Sequence, residues 1–243
     1  MIHQYTAPGG SYSRLYGHMA TRPHLLIAGK TGAGKSTVLN GIIHALLTAT
    51  TPRDTQFIMI DLKRVELSDY MYIPQTQRYA DDGQSALQAL QQALRITDTR
   101  YADMSTRRLK QYDGSNLYVI IDELADLLTT KATKAPAAEM IQRLCQVGRG
   151  ARVHVIACTQ HIPTIPTAIR CNFSDRVALR TTTAQDSRNI MYRAGAERLP
   201  DPLTEHRAMG YYVTGPGPTL YDLPMVPADE LRRVVEHWER QAA

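Results

Sequence analysis

Short unbroken apolar runs alternate along the chain with stretches in which apolar residues recur every three or four positions. The runs are Leu25-Leu26-Ile27-Ala28, Phe57-Ile58-Met59-Ile60, Leu117-Tyr118-Val119-Ile120-Ile121, Val153 to Thr159, and Arg176-Val177-Ala178-Leu179-Arg180. Each has the length of a strand, and continuous hydrophobicity suits a parallel strand buried on both faces. Between them, Val38, Leu39, Ile42, Ile43, Leu46 and Leu47 predict one helix. Leu87, Leu90, Leu94 and Ile96 predict a long second one within 81–104, started by Asp82-Gly83-Gln84-Ser85. Further helices are expected from Pro136 to Val147 and from Asp186 to Gly195. A terminal amphipathic helix is expected from Glu230 to Gln241, with Leu231, Val234, Val235 and Trp238 on its docking face. Gly210 to Val213 reads as an edge strand followed by the turn Gly215-Pro216-Gly217-Pro218. Five buried strands separated by helices make an α/β fold with a central, mostly parallel sheet flanked by helices. One domain is expected over 21–243, after a leader (1–20) rich in Gly, Ser and Tyr.

The junction of the first run and the first helix carries Gly29-Lys30-Thr31-Gly32-Ala33-Gly34-Lys35-Ser36-Thr37, a complete G-x-x-x-x-G-K-[ST] phosphate loop set between a strand and a helix. Three glycines let successive N–H groups turn inward around a triphosphate, and the positive helix N-terminus adds to their pull on the anion. Lys35 is placed to reach the β- and γ-phosphates, and Ser36 to offer its hydroxyl to Mg²⁺.

Two further strand ends carry chemistry. Asp122 and Glu123 close the Leu117–Ile121 run. A carboxylate on the strand next to the phosphate loop holds Mg²⁺ through its water shell, the role expected of Asp122; the following one orients and deprotonates the attacking water, the role expected of Glu123. Gln160 closes the Val153–Thr159 run, where an amide reports a γ-phosphate or caps the next turn. The charged segment Asp61-Leu62-Lys63-Arg64-Val65-Glu66-Leu67 follows the second run, at the carboxyl end of a strand where open α/β sheets bind ligands, or where an ordinary solvated loop lies.

Composition adds less. The net charge of +5 and pI near 9.1 fit a polyanionic partner without naming one. Cys145, Cys158 and Cys171 form no C-x-x-C pair and read as reduced, partly buried thiols of a cytoplasmic protein, and the histidines lack metal-ligand spacing. No stretch approaches the ~20 apolar residues of a membrane span, so any action at a membrane is expected to need a partner.

The phosphate loop and acidic pair on this strand pattern describe a RecA-like P-loop NTPase. The flanking residues are more specific. Pro23 to Gly29, Met59 to Leu67, Val119 to Leu127, Ala157 to Gln160 and Asp186-Ser187-Arg188 together resemble the motor domain of the FtsK/SpoIIIE DNA translocases. The resemblance implies a homo-hexameric ring that hydrolyses ATP with Mg²⁺ at subunit interfaces and pulls double-stranded DNA through its pore. It implies that Arg149, or else Arg152, acts on the neighbouring subunit's nucleotide, a structural salt bridge being the alternative. It also implies that the segment from His161 to Asn172, with Arg170, faces DNA phosphates. Leu62 and Ala184 stand where many members carry proline and lysine. A bare motor of this kind is expected to serve the transfer, replication or partition of plasmid, phage or other mobile DNA, with a relaxase, replication protein or membrane partner. A protein-secretion ATPase and a DNA-bound ATPase that recruits partners without translocating are the alternatives.

Overall fold

A computed structural model describes residues 23–202, 208–214 and 217–242. The leader (1–20) and half of the 215–218 turn lie outside the described residues. In chain order the elements are β1 (His24–Ala28), α1 (Lys35–Ala49), β2 (Thr55–Ile60), β3 (Thr76–Ala80), α2 (Gly83–Arg107), β4 (Asn116–Ile121), α3 (Leu124–Thr129), α4 (Lys134–Val147), β5 (Val153–Thr159), α5 (Thr167–Arg170), β6 (Asp175–Ala178), α6 (Ala184–Met191), β7 (Ala208–Thr214), β8 (Gly217–Leu223) and α7 (Ala228–Ala242).

One sheet runs β3-β2-β4-β5-β1-β6-β7-β8, parallel from β3 to β6 and antiparallel across β7 and β8. Successive side chains of a strand point to opposite faces, so β1 feeds two cores. Leu25 and Ile27 pack with α1 and α7 on one side, while Leu26 packs with α2, α3 and α4 on the other. The five expected strands are all present. β3 and β8 were not legible because both are edge strands, polar and only half-buried. β8 also covers β7, so Gly210 to Val213 belongs to an interior strand rather than an edge. The strand bearing Asp122 does not neighbour β1 as expected, because β5 lies between them.

In α2 the Asp82 carboxylate accepts from Gln84 N and Ser85 N, and the Ser85 side chain accepts from Asp82 N, a full capping box. Its buried face is set mainly by Ala86, Ala89, Leu90, Ala93 and Thr97, whereas Leu87, Leu94 and Ile96 of the expected stripe lie half-buried at its margin. Small residues let the helix axis approach the sheet closely, which the larger apolar side chains would prevent. The terminal helix docks as expected: Trp238 is buried and donates from Nε1 to Leu47 O of α1 at 3.0 Å. Removing it with Trp238→Ala leaves a cavity and an unpaired carbonyl, and should cost about 3 kcal/mol in urea unfolding.

Candidate active site

The end of β1 fixes where the phosphate loop leaves the sheet. Ala28 pairs with Thr159 of β5 and Ala178 of β6, so the three strand ends stand side by side. Gly29 N donates to Thr159 O at 3.2 Å and Lys30 N to Arg180 O at 2.9 Å, tying the loop to both neighbours. Gly34 has φ 93, and a Cβ there would come within 2.7 Å of the Ala208 Cβ on β7, so only glycine fits. α1 then begins with no side-chain cap and no acidic residue in its first turn, leaving its leading amides for an anion. Lys35 Nζ bridges the loop carbonyls Gly29 O at 3.1 Å and Lys30 O at 3.0 Å. Burial draws its ammonium below the ordinary lysine range.

The loop opens onto a cleft of about 590 Å³, whose wall includes Lys35, Ser36, Lys63, Glu66, Asp122 and Gln160. The size suits a nucleotide. A hydrogen-bonded chain crosses it. Thr31 Oγ1 donates to Gln160 Oε1 at 2.6 Å, and Gln160 N donates to Glu123 Oε2 at 3.1 Å. Glu123 also takes Ala125 N on Oε1 at 3.2 Å and is 6% exposed. The phosphate loop, the amide at the end of β5 and the carboxylate at the end of β4 are thus one connected unit. β5 supplies the link because it stands between β1 and β4.

Asp122 lines the same cleft. Burial, with Asp61 and Glu66 nearby and Lys63 partly opposing them, pushes its carboxyl up to about 7. Among the described residues no group of three or more His, Cys, Asp or Glu side chains can hold a metal alone. A half-buried carboxylate and a serine hydroxyl lining one cleft, Asp122 and Ser36, are instead the kind of oxygen donors that suit Mg²⁺. Because the folded pKa lies above the unfolded one, the stability contribution of Asp122 is complete below about pH 4 and is lost as pH rises toward 7. Asp122→Asn should therefore raise the Tm of nucleotide-free, metal-free protein by roughly 2–6 °C at about pH 8, and by much less at about pH 4.5. A thermal scan at the two pH values checks it.

The charged segment after β2 folds around Asp61, which is fully buried and accepts from Lys63 N at 3.2 Å, Glu66 N at 3.0 Å and Leu67 N at 3.0 Å. It is a built loop rather than a solvated one, and it aims Lys63 and Glu66 into the cleft. Lys63 Nζ stands 3.5 Å from Asp126 and 4.0 Å from Glu123. Asp126 went unnoticed in the sequence, although its place three residues after Glu123, one helical turn on, was a usable signal.

The remaining candidates separate. Arg149 follows α4 and precedes β5, at the amino end of the parallel strands, and β5 spans about 20 Å from there to the cleft. Its side chain is exposed and makes no hydrogen bond or ion pair among the described residues. Arg152, by contrast, is bonded within its own chain: it has φ 52, donates from Nη1 to Gly114 O at 3.1 Å, and its own carbonyl accepts from Leu117 N. The segment 161–172 returns the chain from the carboxyl end of β5 to the amino end of β6, so it does not bring its three candidates together. His161 sits beside Gln160 with an exposed side chain. Arg170 donates to Thr167 Oγ1 at 3.0 Å, and Asn172 donates to Ala168 O at 2.6 Å. Cys145 and Cys158 are buried, while Cys171 is exposed, against the expectation of partial burial for all three.

A profile of the FtsK/SpoIIIE family matches residues 8–116 and 111–164, well over half of the chain. The chain belongs to the FtsK/SpoIIIE family. It is 36% identical over 203 residues to the DNA translocase FtsK of Chlorobaculum tepidum, covering 74% of this chain and 25% of that protein. It is 32% identical over 237 residues to the DNA translocase SpoIIIE of Bacillus subtilis, covering 88% and 30%. The chain therefore spans a quarter to a third of these relatives' lengths. Among solved structures, it resembles the pCW3 conjugation coupling protein TcpA, monomer form with ATPγS, at TM-score 0.76 and 19% identity, covering 90% of this chain and 66% of that one. It also resembles the cytoplasmic domain of the Type VII secretion ATPase EccC of Thermomonospora curvata at TM-score 0.70 and 22% identity, covering 91% and 28%. These likenesses carry the fold, a P-loop ATPase fold with a mostly parallel sheet. The family's phosphate loop and acidic pair stand on that fold at the ends of β1 and β4. No helix among the described residues is long and apolar enough to cross a membrane.

Proposed function

We propose that the chain is a cytoplasmic ATP-hydrolysing motor, folded as one domain over 21–243, that acts as a homo-hexameric ring to drive double-stranded DNA. The observation that carries this reading is the bonded path from Thr31 through Gln160 to Glu123, which joins the phosphate loop to a buried carboxylate. Binding alone needs no such carboxylate; hydrolysis needs one to accept the proton of water.

In this reading the loop amides from Gly29 to Thr37 and the N-terminus of α1 hold the phosphates. Lys35 pays out from the carbonyls of Gly29 and Lys30 to the β- and γ-phosphates. Ser36 and Asp122 would hold Mg²⁺, which supplies charge neutralisation at the phosphate oxygens. Glu123 orients water and takes its proton, while the amide of Gln160 senses the terminal phosphate through its bond to Thr31. Arg149 enters the neighbouring subunit's cleft, a role supported by its exposure and by its distance from its own. The ring's contacts with duplex DNA, through the 161–172 segment, fall on phosphates and are blind to sequence. The mobility of plasmid, phage or related DNA is the process inferred for it, with a relaxase, replication or membrane partner.

The test is the steady-state ATPase rate with and without long linear duplex DNA, at low and moderate salt. Stimulation that grows with duplex length and fades with salt supports a motor on a phosphate track. A rate indifferent to DNA overturns the DNA-motor reading and favours a secretion-type ATPase, and stimulation without displacement of a third strand from a triplex favours a stationary recruiter.

A further inference from the structure

Lys63 is the second lysine lining the cleft, carried by the segment after β2 rather than by the phosphate loop. Its backbone is fixed, since its N–H donates to the buried Asp61 carboxylate at 3.2 Å and the next residue, Arg64, sits at φ 59 with an ion pair to Asp81 at 3.0 Å. The side chain is held differently. Its ammonium lies 3.5 Å from Asp126 and 4.0 Å from Glu123, distances that make ion pairs but no hydrogen bond, and the side chain is 45% exposed. Loose ion pairs of this kind hold a charge in place only weakly.

We propose that Lys63 senses the terminal phosphate: with an empty or ADP-filled cleft its ammonium stays on Glu123 and Asp126, and with ATP it crosses to the γ-phosphate and leaves Glu123 free. The argument is one of competing anions. A terminal phosphoryl group offers more charge and more acceptor oxygens than either carboxylate, and charge-assisted bonds to it are short where the present contacts are long. Lysine suits the task, being a compact charge on a flexible four-carbon stem. Glu123 keeps its two backbone donors, Ala125 N and Gln160 N, whichever way Lys63 points, so its position survives the exchange while its neighbouring cation departs. The cleft would thereby distinguish ATP from ADP by a residue outside the phosphate loop, and idle the base until the substrate is present. This inference rests on the reading of the cleft as an ATP-hydrolysing site.

The experiment measures the affinity of the whole chain for a non-hydrolysable ATP analogue and for ADP, each with Mg²⁺, in wild type, Lys63→Met, Lys63→Arg and Asp126→Asn. Lys63→Met should lose about tenfold in affinity for the analogue while ADP affinity stays within about twofold. Lys63→Arg should restore most of the difference. Asp126→Asn, which loosens the resting tether, should raise the preference for the analogue over ADP by about two- to threefold. Equal losses for both nucleotides in Lys63→Met, or no loss for either, would overturn the proposal. So would an unchanged preference in Asp126→Asn, which bears on it even if the first variant fails to fold. Wild-type protein that binds neither nucleotide would sink the ATP-site reading itself, an outcome distinct from the others.

Discussion

Glu123→Gln should bind ATP with wild-type affinity, within a few fold, and lose hydrolysis by about 10²- to 10⁴-fold. The structure explains why the two effects separate. Oε1 of Glu123 lies within reach of both backbone donors, Ala125 N at 3.2 Å and Gln160 N at 3.3 Å. A glutamine can place its carbonyl oxygen there and keep these two bonds, giving up only the 3.1 Å bond that Oε2 accepts from Gln160 N. Its NH₂ then occupies the Oε2 position, 3.1 Å from Gln160 N and 4.0 Å from Lys63 Nζ, where it faces a donor and a cation that it does not attract. The site therefore holds its shape, at a cost in stability of about 1 kcal/mol, and loses only the ability to accept a proton. Single-turnover hydrolysis read beside equilibrium nucleotide binding checks the split. Hydrolysis near the wild-type rate would remove Glu123 from the role of base, and lost binding would show that the loop depends on the carboxylate's charge.

Why the sequence revealed this site so well is a matter of what stands next to what. A phosphate loop must be written in consecutive residues, because it binds with its own backbone amides, and Gly29 to Thr37 spells it without a gap. Buried parallel strands announce themselves as apolar runs, so the residues at their ends, Asp122, Glu123 and Gln160, could be placed before any coordinates. What the sequence hid are properties of neighbours. The order β4-β5-β1 is a fact of pairing, and only pairing puts Gln160 between Thr31 and Glu123. The charged stretch from Asp61 to Leu67 looks like solvent-facing loop until its carboxylate is seen buried beneath three of its own amides. β3 and β8 carry half-polar patterns because an edge strand has a neighbour on one side only. In α2 the apolar residues that stood out were the large ones, whereas the face nearest the sheet is lined with alanines, chosen for closeness rather than for hydrophobicity. The course of the segment 161–172 was hidden for a topological reason: a connection between parallel strands has to recross the sheet, so His161 lies by the carboxyl end of β5 and Asn172 by the amino end of β6.

Arg149→Ala should lower hydrolysis in the assembled protein by about 10³-fold, and leave folding and nucleotide affinity unchanged. The exposed side chain bonds to nothing among the described residues, so a loss of Tm would assign it a structural role instead. The loop that presents it is braced independently of it: Arg100 donates to Ala151 O at 2.8 Å, Tyr101 Oη to Val147 O at 2.7 Å, and Tyr112 N to Gly150 O at 2.9 Å. Loss of activity alone would not show in which cleft the arginine works. Mixing would. An interface in which an Arg149→Ala subunit supplies the cleft and a Glu123→Gln subunit supplies the arginine has both groups intact. If Arg149 acts across the interface, two inactive preparations should regain hydrolysis when combined, in proportion to the interfaces of that kind. If Arg149 acts within its own chain, every subunit in the mixture lacks one required group, and the mixture stays as inactive as its parts.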